Sequence, residues 1–324
     1  MTVLEVRDLS VTYRTQAGEV PAARNVNLSI DRGEVLGLAG ESGCGKSTIA
    51  HALLRLLPEG TKTSGEVLLD GEDVLTMNWG ALRAVRWDRA SIVFQGAMHA
   101  LNPVRRVGDQ IAEAIQLHDR LPPKKSEWRV KELIEQVGLP PRSARDFPHE
   151  LSGGQRQRIM VAMALACKPD LVIADEPTTA LDVMIQAQVL NLIQTLQVDL
   201  GLSMLFITHD LSVMVDVCDR IAVMYAGEII EEGPARAVFD SPVHPYSKAL
   251  SGAFPRVGEE RFRGAPLGLG GDPPDPARLP SGCSFHPRCS EAFAECSKVD
   301  PSLYHAGPGR RAACLLVRSK DAVS

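Results

Sequence analysis

Val35-Leu36-Gly37-Leu38-Ala39-Gly40-Glu41-Ser42-Gly43-Cys44-Gly45-Lys46-Ser47-Thr48, with Ile49 to Leu57 following, is the stretch that decides the fold. Its first five residues are a short apolar run of the kind that makes a fully buried parallel strand. Residues 49–57 repeat apolar side chains at helical spacing. Between the two, Gly40 to Ser47 fits the phosphate-loop pattern in the strand-to-helix context that the pattern demands. Gly40, Gly43 and Gly45 let backbone N–H groups, those of Ser42, Cys44 and Thr48 among them, converge on phosphate oxygens, and the helix N-terminus adds its partial positive charge. Lys46 is expected to reach the β- and γ-phosphates, and the Ser47 hydroxyl to ligate Mg²⁺.

Further along, Leu171-Val172-Ile173-Ala174-Asp175-Glu176 is an apolar strand closed by two carboxylates at its C-terminal edge, where open α/β sheets bind ligands. Asp175 is expected to face the magnesium, and Glu176 to polarise a water for in-line attack on the γ-phosphate. Apolar runs such as Met204–Ile207 alternate with helical patterns up to about residue 255, so residues 1–255 read as α/β. Between about Gln95 and Cys167 strand signals vanish and amphipathic stretches appear at 107–118 and 125–137, which predicts an inserted helical subdomain over about 96–167. From Pro255 onward the chain holds nine of its 22 prolines and loses long periodic segments. Residues 256–324 therefore read as a small, loop-rich C-terminal extension.

The chain has 324 residues, enough at about 150 per domain for two domains with real cores. With 44% hydrophobic and 23% charged residues it has the composition of a folded, water-soluble protein. A net charge of -5 carries no basic surplus, which argues against nucleic acid as a partner. The apolar run Val161–Cys167 is far short of the roughly 20 residues that span a bilayer. Residues 1–8 alternate like a strand instead of forming a basic region and an apolar core, so a cytosolic protein is expected.

Leu151-Ser152-Gly153-Gly154-Gln155, with a phosphate loop before it and Asp175-Glu176 after it, makes the chain resemble an ABC-transporter ATPase over roughly residues 1–255. The resemblance implies a P-loop NTPase core that binds ATP with Mg²⁺ and hydrolyses it. It assigns Gln95 to the loop that senses nucleotide and Mg²⁺ and touches the membrane partner, and Ala180-Leu181-Asp182 to the loop crossing a dimer interface. It makes His209 the switch histidine at the γ-phosphate and Tyr13 the adenine-stacking aromatic. Ser152, Gly153, Gly154 and Gln155 open the helical stretch 155–167, whose amides and dipole suit a γ-phosphate held by a second ATPase subunit. One phosphate loop and one signature per chain imply pairing, either with such a subunit or with a second copy.

Pro242-Val243-His244-Pro245-Tyr246-Ser247-Lys248-Ala249-Leu250 resembles a motif of the ATPases of oligopeptide and dipeptide importers, and the runs Ala174–Val183 and Gln186-Ala187-Gln188 are similar to that subfamily too. That resemblance implies the ATP-hydrolysing subunit of a bacterial importer for short peptides. It further implies a heterodimer with a second ABC ATPase beneath two transmembrane permease subunits, fed by an extracytoplasmic substrate-binding protein, at the cytoplasmic face of the inner or plasma membrane. Related subfamily members import nickel, glutathione or oligosaccharides. A soluble ABC ATPase acting on DNA or in translation would tend to carry tandem cores, coiled-coil insertions or basic arms, and none is read here. Intact Lys46, Ser47, Asp175, Glu176 and His209 argue against a non-hydrolysing regulatory half.

Four of the seven cysteines, Cys283, Cys289, Cys296 and Cys314, crowd the C-terminal extension, with five, six and seventeen residues between successive members. Stable disulfides are disfavoured in the cytosol, so the cluster suggests a metal site. The spacing lacks the tight Cys-x₂₋₄-Cys knuckle common for zinc, whereas iron–sulfur clusters accept thiolates from more varied loops. Resemblance to importer ATPases with a cysteine-bearing extension implies a [4Fe–4S] cluster on these four residues. Zinc, and buried thiols that merely fill a loop-rich core, remain the alternatives.

Overall fold

The computed structural model describes residues 1–16, 18–96, 100–118, 121–179, 181–253 and 270–321. The expected domain boundary near residue 255, and Ala180, lie outside the described residues. Along the chain run β1 (Thr2–Thr15), β2 (Gly18–Asp31), β3 (Val35–Ala39), α1 (Lys46–Leu53), β4 (Lys62–Leu69), β5 (Glu72–Asp73), α2 (Trp79–Val85), β6 (Ala90–Val93), α3 (Val107–His118), α4 (Pro123–Gln136) and α5 (Gly153–Ala164). They continue with β7 (Leu171–Asp175), α6 (Val183–Leu200), β8 (Ser203–Thr208), α7 (Leu211–Val217), β9 (Arg220–Tyr225), β10 (Glu228–Pro234), α8 (Ala235–Asp240), α9 (Pro245–Ala253), β11 (Tyr304–His305), β12 (Arg311–Ala312) and α10 (Leu315–Asp321). The chain divides into two compact units: Met1–Leu4, Ile30–Glu34 and Leu69–Leu205 form the first, and Glu5–Ser29, Val35–Leu68 and Phe206–Ser324 the second.

In the first unit β6 pairs in parallel with β7, from Ala90 opposite Leu171 to Val93 opposite Ala174. Every residue of β7 is buried, as an apolar run covered on both faces requires. The helices α3 and α4 follow their sequence patterns, whereas α5, expected over 155–167, starts at Gly153 and stops at Ala164. In α3, Ile111, Ala114 and Ile115 are buried, and in α4 Val130, Leu133 and Ile134 are buried while Lys124, Lys125, Glu127 and Lys131 are exposed. α4 opens on Pro123, where the missing N–H would have had no intrahelical partner. Trp87 Nε1 donates to the Met163 carbonyl at 3.0 Å, tying the segment before β6 to α5. Asp182 Oδ1 accepts from Ile185 N at 3.0 Å and caps α6, which ends on left-handed Gly201.

In the second unit β3 pairs in parallel with β9, β10 returns antiparallel to β9, and β12 and then β11 extend the same sheet antiparallel. Residues 311–312, close to the C-terminus, thus hydrogen-bond to β10 of the core sheet. Two ion pairs flank that edge, Arg310 to Glu231 at 3.0 Å and Arg311 to Glu232 at 2.7 Å. A second sheet places β1 between β2 and β4. The helix expected over 49–57 is instead α1, which starts at Lys46 and stops at Leu53. Arg55 turns left-handed at φ 50°, its N–H meets the Ala52 carbonyl at 3.0 Å, and Leu56 N–H meets the His51 carbonyl at 2.8 Å. These paired bonds satisfy the last carbonyls and end the helix although the apolar residues continue. Among the described residues no helix is long and apolar enough to cross a membrane.

Candidate functional site

The site residues read from the sequence fall into two groups, one in each unit. In the second unit the phosphate loop leaves buried β3 at Gly40 and enters α1 at Lys46. Gly45 sits at φ 111°, and a Cβ there would lie 2.2 Å from the Ala22 carbonyl oxygen, so both conformation and space require glycine. Gly40 is equally confined, since a Cβ would lie 2.3 Å from the Met224 carbonyl oxygen. Ser42 and Gly43 are exposed at the loop tip, and Ser47 and Thr48 lie in the first turn of α1. Lys46 is only 5% exposed. Its ammonium donates to the carbonyls of Gly40 at 2.8 Å and Glu41 at 2.9 Å and lies 3.8 Å from Cys44 Sγ. Burial pushes the Cys44 thiol up from its ordinary range, so it stays protonated beside the cation.

Tyr13, half-buried on β1, has its hydroxyl 3.1 Å from Thr48 Oγ1. His209 is exposed between the end of β8 and the cap of α7, where Asp210 Oδ1 accepts from Ser212 N at 2.9 Å. Glu41, the residue after Gly40, donates its backbone N–H to the Tyr246 hydroxyl at 2.9 Å. Tyr246 belongs to the Pro242–Leu250 motif, so a signal for this contact was present in the sequence, but nothing local links it to a loop 205 residues away.

In the first unit Asp175 is 2% exposed at the end of β7. Glu176 follows at φ 44°, a left-handed conformation uncommon for a non-glycine residue, which turns the chain sharply out of the strand. Its Oε2 accepts from Gln95 Nε2 at 2.9 Å and from Thr179 Oγ1 at 2.8 Å. Gln95 and Glu176 are thereby brought together as a hydrogen-bonded pair. Thr179 is the member that sequence reading missed, although its three-residue offset from Glu176 is that of a turn closing on itself.

The signature forms the start of α5. Ser152 Oγ accepts from Gln155 N at 3.3 Å while Gln155 Oε1 accepts from Ser152 N at 2.9 Å, a reciprocal cap. The amides of Gly153 and Gly154 precede the first intrahelical bond, from Arg156 N to the Ser152 carbonyl at 2.9 Å. A Cβ at Gly154 would lie 2.5 Å from Ile185 Cγ2, so α6 lies against this end of α5. Leu181 and Asp182 lead directly into α6, whose first residues Val183 and Met184 are 81% and 72% exposed.

Cys283, Cys289, Cys296 and Cys314 line one cavity of about 20 Å³, together with His244 and Phe285. The volume is that of about one water molecule. Burial pushes the Cys283 thiol up to about 11 and raises Cys289 and Cys314, with the neighbouring cysteines adding to each shift. His244 is driven down to about 3 by burial, so its ring is neutral. Its Nδ1 accepts from Tyr246 N at 3.0 Å. Among the described residues no group of three or more His, Cys, Asp or Glu side chains is disposed to hold a metal ion.

Residues 23–179 match the family described as ABC transporter, and residues 230–296 match the oligopeptide/dipeptide transporter C-terminal region. The chain is 44% identical over 315 residues to the oligopeptide transport ATP-binding protein OppD of Salmonella typhimurium, which covers 96% of this chain and 93% of that protein. A probable peptide ABC transporter ATP-binding protein of Sinorhizobium fredii is 43% identical over 332 residues, 99% of this chain and 96% of its own. Among solved structures, a dimeric bacterial ABC transporter cassette matches with a TM-score of 0.65 at 30% identity, over 72% of this chain and 99% of that one. The buried parallel strands, the phosphate loop and these likenesses agree on a P-loop NTPase core. The chain belongs to the ABC transporter family as an ATP-hydrolysing subunit, and it carries the C-terminal region of that family's oligopeptide/dipeptide transporters.

Proposed function

We propose that this chain binds ATP with Mg²⁺ and hydrolyses it to drive the import of short peptides through membrane permeases. The likeness to peptide-transport ATPases over nearly the whole chain supports the cargo class. The observation that carries the mechanism is the 2.9 Å bond between Gln95 and Glu176. It couples the carboxylate assigned to the attacking water to the side chain assigned to the nucleotide-sensing loop, so a movement of one is felt by the other.

In this reading the loop from Gly40 to Thr48 cradles the phosphates, Lys46 leaves its two carbonyl partners for the β- and γ-phosphates, and Tyr13 faces the adenine. Glu176 takes the proton of the attacking water, oriented by Gln95 and Thr179, and His209 contacts the γ-phosphate. Ser47, Asp175 and Gln95 supply oxygen donors of the hard type that Mg²⁺ takes, and the bound ion would neutralise charge developing on the phosphates. Ser152, Gly153, Gly154 and Gln155 serve the nucleotide of a second ATPase subunit, and the exposed Val183 and Met184 beside Asp182 supply apolar surface for that pairing. The partner is a different ATPase chain, two permeases lie above the pair at the cytoplasmic face of the membrane, and a substrate-binding protein delivers the peptide. Residues 1–255 form the ATPase domain and 256–324 its extension.

We also assign a [4Fe–4S] cluster to Cys283, Cys289, Cys296 and Cys314. Four thiols lining one cavity support it. The cluster would staple a proline-rich segment.

The test is the ATPase rate of the complex reconstituted with its permeases. Short peptides with their binding protein should stimulate it several-fold, and Gln95→Ala should abolish the stimulation while leaving ATP affinity within about twofold. Stimulation by nickel, glutathione or an oligosaccharide, and not by peptide, would reassign the cargo. Unchanged stimulation in Gln95→Ala would remove Gln95 from coupling.

A further inference from the structure

Within the second unit one charged pair joins the cysteine-bearing segment to the phosphate loop. Arg288, the residue before Cys289, donates from Nη1 to Glu41 Oε2 at 2.7 Å and from Nη2 to Glu41 Oε1 at 3.0 Å. Its Nε donates to the Gly270 carbonyl at 3.0 Å, and its guanidinium carbon lies 5.9 Å from the centre of the Tyr225 ring. The Arg288 side chain is 7% exposed and that of Glu41 23%. A two-pronged arginine–carboxylate pair so withdrawn from water fixes direction as well as distance, unlike an exposed pair on long mobile side chains.

Glu41 is held at three points. Arg288 grips its carboxylate, the Tyr246 hydroxyl accepts from its N–H at 2.9 Å, and its carbonyl accepts from Lys46 Nζ at 2.9 Å. The turn that carries Arg288 is itself seated by Phe285, which is 3% exposed. The Phe285 ring centre lies 5.3 Å from that of Tyr225 and 5.4 Å from that of Tyr246. A continuous path therefore runs from the segment of Cys283 and Cys289 to the carbonyl on which Lys46 rests.

Electrostatics gives the contact its consequence. Glu41 puts a negative charge into the loop whose amides receive a triphosphate, and at short range in a partly shielded site two like charges repel by enough to weaken binding measurably. Arg288 offsets that charge and keeps the carboxylate turned toward the C-terminal segment. We infer that the cysteine-bearing segment sets ATP affinity through Arg288, a positioning residue that offsets the Glu41 charge and keeps that carboxylate turned away from the amides that receive the phosphates. This rests on the ATP-binding reading above. Disturbance of the 283–289 turn should accordingly lower ATP affinity while the hydrolytic carboxylate stays intact.

The test is a set of Mg²⁺-ATP dissociation constants for the full chain, with KM and kcat for the reconstituted complex. Arg288→Ala should weaken binding and raise KM about tenfold with kcat within about twofold. Glu41→Gln, which removes the charge in need of a partner, should lose less affinity than Arg288→Ala. Glu41→Gln combined with Arg288→Ala should return affinity to within about threefold of wild type, a rescue that mere loss of packing would not allow. Arg288→Lys, which keeps the charge without the fork, should be weakened about threefold, and it stands in if Arg288→Ala is insoluble. Wild-type affinity in Arg288→Ala or, failing that variant, in Arg288→Lys would overturn the inference. So would a double variant as weak as Arg288→Ala alone. If the wild-type chain in the same series fails to bind ATP, the functional reading falls as well; if it binds and only the variants disappoint, this inference alone fails.

Discussion

At the scale of the residue, Glu176 combines features that go together at a reacting centre. It sits in a left-handed conformation at φ 44°, costly for a side chain with a Cβ by about 1 kcal/mol, and two side chains fix one oxygen of its carboxylate. Such strain persists only where the surroundings over-determine it, and here a fully buried strand runs straight into the residue. Glu176→Gln keeps the shape and the bonds from Gln95 and Thr179 but loses the base. Steady-state ATP turnover of the assembled complex should fall at least about 100-fold with ATP binding preserved. Turnover within a few-fold of wild type would take Glu176 out of the general-base role. Its place at the end of a buried strand was legible in sequence, since two carboxylates closing an apolar run is a local pattern. Its pairing with Gln95 was not, because 81 residues and a helical region intervene.

At the scale of the element, the hairpin of β9 and β10 carries a carboxyl whose protonation bears on stability. Burial pushes Glu228 up to about 7, with Asp300 adding to the rise and Arg24, 2.9 Å away, opposing it. Desolvation outweighs the ion pair, whose two side chains are each about a quarter exposed. The folded chain then holds this proton more tightly than the unfolded chain. The associated stability is fully present below about pH 4.5 and is lost as pH rises toward about 7, by on the order of 2 kcal/mol. Urea unfolding at pH 5 and pH 8 checks it: Glu228→Gln should lose less stability across that interval than wild type does. An identical loss in the two proteins would show that Glu228 titrates normally. The helices of this chain teach a related lesson about elements. Capping signals such as Asp182 before α6 mark a start reliably, whereas α1 stops inside an apolar run because Arg55 turns left-handed, which no residue type there announces.

At the scale of the whole molecule, the four C-terminal cysteines come from positions up to 31 residues apart and still line one cavity. Anaerobically purified protein should be brown and contain about four irons per chain if they hold the proposed cluster. Colourless, metal-free protein with all four thiols reactive and residues 283–314 still folded would sink that assignment. What the sequence by itself determined is whatever one strand, one turn and one helix can build without help. The phosphate loop with its obligatory Gly45, the capped signature at Ser152, and the carboxylates at the end of β7 all belong here, because backbone geometry over a dozen residues fixes them. Only the tertiary structure decided that Arg288 would meet Glu41 across 247 residues, that the Tyr246 hydroxyl would take the Glu41 N–H, and that β12 would extend the core sheet beside β10. Such contacts depend on which surfaces burial brings together. A charged side chain carries no mark of its distant partner until folding has removed both from water.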